Sequence, residues 1–344
     1  MSQGRAPVRF QNVSRSFGNV VALDDFCLDI AAGEFVTLLG PSGSGKTTAL
    51  NILAGFDQAS SGEVFIDGRA VGALPPEKRN VGMVFQSFAL FPHMSVFENV
   101  AFPLRMRKVA AAEVKARVAR ALEMVQLAGY GERRPAALSG GQRQRVALAR
   151  AVVAEPPVLL MDESLSALDL KLREDLQEEI RRLHRELGTT VVFVTHDQGE
   201  ALTLSDRIAL MNKGRICQLD TPGALYDRPE TRFVADFIGR TNIVPVDERG
   251  HVAAIGLETV PDGVAALSLR PEKLRRAPDA AADAAFDALV QDVAFKGATM
   301  EMRVQTSTGL VLRISEHRTD RPPPAPGETI RAGFAVRDAT PLYE

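Results

Sequence analysis

The 344 residues include only two cysteines, Cys27 and Cys217, and no tryptophan. Two thiols can build neither a disulfide scaffold nor a four-thiolate zinc site. Both lie in apolar, strand-like stretches, where the expected role is that of a small buried hydrophobe. Such sparing use of cysteine fits a reducing cytoplasm. Long apolar runs are missing as well. The longest stretch without a charge, Asn80 to Phe97, is broken by Gln86, Ser87, Pro92, His93 and Ser95, whereas a bilayer-spanning helix needs about 20 predominantly apolar residues. The opening MSQGRAPVRF lacks the hydrophobic region of a secretion signal. Nor is there a surplus of one charge: 41 Lys+Arg against 43 Asp+Glu leave a net charge of −2, so the whole molecule is no polyanion binder and a nucleic-acid partner is not expected. At about 100–200 residues per domain the length suggests two or three domains, and 45% hydrophobic residues suffice for cores that need no disulfide or structural metal.

Residues 8–87 read as strands around one helix. GEFVTLLG is a compact apolar strand, GPSGSGK a glycine-rich turn, and TTALNILAG a helix that stops at Gly55; EVFIDG and VGMVFQ are further strands. Residues 88–154 turn helical, with Val114, Val118, Leu122 and Val125 on one stripe and Gly129 as its stop. Between 101 and 150 eleven Lys/Arg face three Asp/Glu, a local excess of +8. Such a face is a solvated helical surface or one that meets anionic headgroups or an acidic partner. From 158 to 235 strands and helices alternate again: VLLMDE, then a helix with Leu172, Leu176, Ile180, Leu183 and Leu187 in line and Gly188 at its end, then TTVVFVTH. That alternation predicts a largely parallel sheet covered by helices. Beyond residue 240, VAALSL, LVQDVAF, ATMEMRVQT and GLVLRIS are short strands separated by turn residues, and RPPPAPGE is a loop. A small all-β module follows from this pattern.

Gly40-Pro41-Ser42-Gly43-Ser44-Gly45-Lys46-Thr47, with Thr48 beside it, fits the phosphate-binding P-loop and stands between a strand and a helix. Gly43 and Gly45 let the backbone curl so that successive N–H groups face phosphate oxygens, and the helix adds its positive end. Lys46 is then placed for the β- and γ-phosphates, and the Thr47 hydroxyl for Mg²⁺. The strand VLLMDE ends in Asp162, a candidate for the Mg²⁺ shell, and Glu163, a candidate for orienting the attacking water.

Leu138-Ser139-Gly140-Gly141-Gln142, continuing RQRVALARA, resembles the signature of the ABC ATPases. Its small residues open a helix and form a second anion site. The family's other motifs follow in order. Gln86 resembles the Q-loop glutamine, which contacts Mg²⁺; Ser166-Ala167-Leu168-Asp169 resembles the D-loop; His196 resembles the switch histidine at the γ-phosphate; and Phe17 matches the aromatic that stacks on adenine. Ser164, Gly199 and Phe88 depart from the family's usual proline, acidic residue and tyrosine. His93 and His184 match no motif, and His184, beside the apolar stripe of its helix, is expected on the solvated surface. The tail, through FIGRTNIVPV and LSLRPEKLRR with Asn242, Arg270, Pro271 and Glu272, resembles the TOBE module of importer ATPases.

This resemblance implies an α/β, P-loop (RecA-like) ABC ATPase core over residues 1–237, with an inserted helical subdomain at about 88–154, and an all-β, OB-like TOBE domain over 240–344. It implies ATP and Mg²⁺ as cofactors and a head-to-tail homodimer. It also implies transmembrane permease subunits, an indirect link to a solute-binding protein, and a peripheral place on the cytoplasmic face of the inner (plasma) membrane. The core looks closest to the polyamine and ferric-iron importers; sulfate, phosphonate and sugar import are the alternatives. An ABC ATPase acting on nucleic acid fits less well, because the chain has one core and no heptad run. A purely regulatory subunit is opposed by Glu163 and His196.

Overall fold

A computed structural model describes residues 5–163, 170–247, 252–257, 260–276, 283–319 and 322–343. The chain separates into two compact units, 1–222 and 223–344. Two kinds of strand build the first unit. In β1 (Val8–Phe17) and β2 (Val20–Ile30) buried and exposed residues largely alternate, the mark of a sheet with one covered face. They join β4 (Ser61–Ile66) and β5 (Arg69–Ala70) in an antiparallel sheet of order β2-β1-β4-β5. By contrast, β3 (Phe35–Leu39) and β8 (Thr190–Thr195) are buried at every residue, as strands are when helices cover both faces. With β6 (Val81–Val84), β7 (Val158–Asp162), β9 (Arg207–Asn212) and β10 (Arg215–Asp220) they form a second sheet of order β10-β9-β3-β8-β7-β6. It is parallel from β9 to β6, as predicted, while the edge strand β10 runs antiparallel. Since β3, β8 and β7 are neighbours, the segments that leave their carboxyl ends meet, the usual place for a ligand in such sheets.

Helix α1 (Lys46–Ala54) buries Ala49, Leu50, Ile52 and Leu53 in one core, with Val36, Leu38 and Val192. A second core joins the inserted helices α2 (Val96–Met106), α3 (Ala111–Met124) and α4 (Gly140–Val152) to α5 (Leu170–Leu187). Val114, Val118, Leu122 and Val125 are buried as their spacing predicts. The stop of α3 falls earlier than Gly129. Gln126 takes a left-handed φ of 57°, and the N–H of Leu127 returns to the carbonyl of Leu122 at 2.8 Å, closing the helix in the way a glycine usually does. Cys27 is exposed and Cys217 half-buried, against expectation: the alternation of β2 buries Phe26 and Leu28 and turns Cys27 outward. His184 is not solvated surface either. Its Nε2 lies 3.0 Å from the Gly33 carbonyl and its ring stands edge-on to Phe35. His93 is exposed beside Phe91. Among the described residues no helix is long and apolar enough to cross a membrane.

The far end of α1 is anchored by Arg79, buried at 4% exposure. Its guanidinium donates to the carbonyls of Ile52, Leu53, Gly72 and Leu74. Burial lowers its pKa, and Glu63 partly opposes that. The cation complements the negative end of the helix, and Gly55, left-handed at φ 88°, leaves room for it: a Cβ there would come within 2.6 Å of Arg79 Nε. Arg79→Ala is expected to destabilise the first unit by about 2–4 kcal/mol, because each buried carbonyl left unpaired costs about 1–3 kcal/mol. A lower urea midpoint with an unchanged slope is the result to look for; an unmoved midpoint refutes the anchor.

The second unit begins with two short helices, α7 (Pro222–Asp227) and α8 (Arg232–Phe237). Residues 223–237, expected in the ATPase core, group with the second unit. Arg270 explains their allegiance: it donates to the carbonyls of Tyr226, Ala235 and Arg240 and stacks on the Tyr226 ring at 4.1 Å. Tyr226 donates to Glu272 at 2.7 Å, and burial together with that bond pushes its pKa up to about 12. Beyond the helices, β11 (Asn242–Pro245), β12 (Ala266–Leu269) and, from the end of the chain, β18 (Ala339–Leu342) form one antiparallel sheet. The strands β13 (Arg275–Arg276), β14 (Ala284–Lys296), β15 (Thr299–Thr306), β16 (Val311–His317) and β17 (Thr329–Phe334) form the other. Asn242 ties the two sheets, donating to Leu269 and Arg313 carbonyls and accepting from the Arg313 N–H at 2.7 Å.

Candidate active site

Where β3 ends, Gly40–Gly45 curl into the first turn of α1. Gly45 caps the helix in a left-handed conformation, φ 100°, and a Cβ there would stand 2.4 Å from the Ala22 carbonyl. Only glycine fits, and glycine brings no side chain to cap the helix. The N–H groups of the first turn, which no intrahelical acceptor can reach, remain available to an anion. Ser42, Gly43 and Thr47 are exposed, Pro41 and Thr48 half-buried, Gly40 and Ser44 buried. The Ser44 Oγ has no hydrogen-bond partner among the described residues. Lys46, 5% exposed, folds its Nζ back onto the carbonyls of Gly40 and Pro41 at 2.8 and 2.9 Å. Burial lowers its pKa; Glu163 and Asp162 pull it back up.

Those carboxylates come from the end of β7. Asp162 is its last residue, and burial raises its pKa, helped by Glu163 and opposed by Lys46. Glu163 adopts φ 38° and donates its N–H to the Val194 carbonyl at 2.9 Å. A non-glycine residue there costs on the order of 1–3 kcal/mol, a strain typical of functional positions. Its carboxylate accepts from Gln86 Nε2 at 3.0 Å and lies 3.2 Å from Nδ1 of His196, which follows β8. Gln86, Glu163 and His196, 33 or more residues apart in the chain, thus meet.

Sequence reasoning missed the polar network around the turn that follows His196. The next residue, Asp197, caps α6 (Gln198–Leu204) by accepting the Glu200 N–H and binds Arg173 of α5 at 3.0 Å. Glu200 is fully buried, accepts from Thr195 Oγ at 2.5 Å and lies 3.9 Å from Arg173 Nε; burial raises its pKa. A carboxylate beside Ala201 and Leu204 on a short apolar helix was the available signal.

Other expected residues lie apart. Ser139 caps α4 in a reciprocal box: its Oγ accepts the Gln142 N–H at 3.3 Å and Gln142 Oε1 accepts the Ser139 N–H at 3.0 Å. Gly140 and Gly141 form the first turn, and a Cβ on Gly141 would strike Leu172 at 2.8 Å. The described polar contacts of these residues stay within this turn and Tyr130, with none to Lys46 or Glu163. Phe17 closes β1 with 49% of its surface exposed. Ser164, and the D-loop candidates Ser166 to Asp169, lie outside the described residues. A groove of about 380 Å³ flanks the Gln86 segment, lined by Phe85, Phe91, Phe102, Pro103, Arg107 and Arg150 among others.

The ABC transporter family pattern matches residues 23–166, and the TOBE domain pattern matches residues 267–342. A spermidine/putrescine import ATP-binding protein of Pseudomonas aeruginosa is 51% identical over 86% of this chain and 84% of its own length. The chain belongs to the ABC transporter ATP-binding proteins. A namesake from Rubrobacter xylanophilus is 47% identical to this ABC ATPase over 96% of the chain and 92% of the relative. Among solved structures, a dimeric ATP-binding cassette holding ADP and phosphate after hydrolysis is 36% identical. It covers 62% of the ABC ATPase and 98% of that cassette, with a TM-score of 0.56. The C-terminal TOBE domain and the ATP-hydrolysing core expected from the sequence are both present.

Proposed function

We propose that this ABC ATPase powers import of polyamines of the spermidine/putrescine type, acting as a head-to-tail homodimer beneath a separate membrane permease. The observation that carries the hydrolytic part is the convergence of Gln86, Glu163 and His196 within electrostatic reach of Lys46 and Asp162. Lys46 exchanges its Gly40 and Pro41 carbonyls for the β- and γ-phosphates of ATP, and the free N–H groups of α1 hold the same oxygens. Thr47, Gln86 and Asp162 offer hard oxygen donors in an incomplete set, which suits a cation that keeps waters and phosphate ligands. Mg²⁺ held there would neutralise charge on the phosphates. Glu163 orients the attacking water while Gln86 and His196 fix its carboxylate. Gly43, Ser44, Gly45 and Thr48 complete the cradle, and Phe17 stacks on adenine. From the second copy, Ser139, Gly140, Gly141 and Gln142 cover the γ-phosphate, and the D-loop resemblance assigns Asp169 to communication between the copies, so each site is complete only in the closed dimer.

The groove beside Gln86 supports the permease reading. Its aromatic wall with two arginines suits an amphipathic cytoplasmic loop, and closure of the dimer then moves that loop. On this reading the chain works at the cytoplasmic face of the inner membrane, and a solute-binding protein delivers cargo to the permease. The cargo rests on the relatives, several of which are spermidine/putrescine import proteins. Ferric iron, the other cargo the sequence suggested, has no counterpart among the relatives reported above. The test is uptake of labelled spermidine, putrescine, ferric iron and sulfate in native cells, with and without excess Glu163→Gln. Selective loss of polyamine uptake is the expected result; loss of another cargo alone, or of none, overturns the assignment.

A further inference from the structure

We propose that Arg15, locked by Asp57, is a positioning residue that fixes the Phe17 ring as the platform for the adenine base. The inference rests on the reading of this site as an ATP site with Phe17 under the base. Phe17 needs such help. It closes β1 at a hairpin tip, paired with Val20, and with 49% of its surface exposed it lacks the packing that would hold its rotamer. One of its faces is covered by the Arg15 guanidinium, whose central carbon lies 4.4 Å from the ring centroid. Arg15 is itself fixed at two points: Nη2 lies 2.7 Å from Asp57 Oδ1, and Nε donates to Oδ2 at 3.1 Å. Both side chains of the pair are only about a quarter exposed, at 24% and 22%. That geometry is the planar fork that arginine offers a carboxylate and lysine cannot reproduce.

Asp57 gives the arrangement its consequence. It lies just beyond the carboxyl end of α1, its N–H bonded to the Asn51 carbonyl of that helix. The amino end of α1 carries the phosphate loop, and the Ala22 carbonyl of the hairpin abuts Gly45 there. One rigid helix therefore holds the phosphate cradle at its start and, through Asp57 and Arg15, the base platform at its end. A cation on one face of the ring leaves the opposite face for the neutral purine, and a ring already in place spares the base the cost of ordering it. Arg15 acts only through Phe17 and touches no reacting atom.

The experiment measures steady-state ATP hydrolysis by the full chain, inhibition by inorganic tripolyphosphate, which has no base, and thermal unfolding. For Arg15→Ala the expected result is a KM for ATP raised about two- to fivefold, the range a cation–π contact at an exposed site supports. The kcat and the tripolyphosphate inhibition constant should hold. Asp57→Asn should move KM in the same direction, and Arg15→Lys should fall between Arg15→Ala and the parent, which keeps the test readable if the alanine variant folds poorly. Phe17→Ala separates the two layers of the argument. If Phe17→Ala raises KM and Arg15→Ala does not, the positioning role is refuted while the platform stands. If neither moves KM, the platform reading fails and takes the proposal with it. A lower KM in Arg15→Ala makes Arg15 a competitor of the base, and parallel losses in kcat and tripolyphosphate binding make it merely structural; either overturns the proposal.

Discussion

Glu163→Gln is expected to lower ATP turnover about 10²–10⁴-fold, the range of a lost general base, while ATP binding survives and a dimer accumulates. The side chain keeps its size and still offers an oxygen to Gln86 Nε2, so the contact at 3.0 Å can persist. The backbone at φ 38° is untouched, since the N–H bond to Val194 does not involve the side chain. What disappears is the charge. An amide cannot take a proton from water, so the nucleophile is no longer activated. Electrostatics adds a second consequence: Glu163 raises the pKa of Asp162 and also that of Lys46. Without it Asp162 ionises more readily and remains to hold the Lys46 cation, which is why binding should outlast hydrolysis. Phosphate release and light scattering after size exclusion read the two effects separately. A variant that stays monomeric in saturating Mg-ATP refutes the closed-dimer mechanism, and one that turns over normally removes Glu163 from catalysis.

The reason Glu163 could be picked out from sequence is instructive. A continuous apolar strand ending in two acids, after a glycine-rich turn, carries its chemistry in local order, and so do Gly40–Thr47 and Ser139–Gln142. The parallel sheet was legible for the same reason: strands such as β3 and β8, apolar apart from threonines, leave no charged face for water. Residues whose roles depend on tertiary neighbours were not legible. Arg79 looks like an ordinary surface cation in sequence, and Arg270 carries a family resemblance without its physical reason, yet each is buried against backbone carbonyls from distant segments. Arg173 and Glu200 stand 27 positions apart and meet only because α5 and α6 pack together. The stop of α3 was misplaced because Gln126 accepts a left-handed backbone that the sequence rule reserves for glycine. Cys27 was misjudged by reading an apolar run without its alternation.

Ser139→Arg tests the other half of the site. Turnover is expected to fall about 10²–10³-fold, comparable to removing a transition-state hydrogen-bond donor, with ATP binding to the same chain little changed. Ser139 is exposed and its contacts stay inside the first turn of α4, away from Lys46 and Glu163. A defect in hydrolysis with the fold intact then points to a site on another copy. Two effects must be separated, because the substitution also breaks the reciprocal cap, worth about 0.5–2 kcal/mol of helix stability. Ser139→Ala removes the cap and leaves the turn open, so it should lose far less activity than the arginine, whose bulk fills the space the phosphate needs. Mixing provides the decisive comparison. A Ser139→Arg chain retains Lys46, and a Lys46→Ala chain retains Ser139, so a head-to-tail heterodimer contains one intact composite site. Recovery of phosphate release on mixing two inactive chains places Ser139 across the interface. Ordinary turnover by Ser139→Arg alone removes the signature turn from the site.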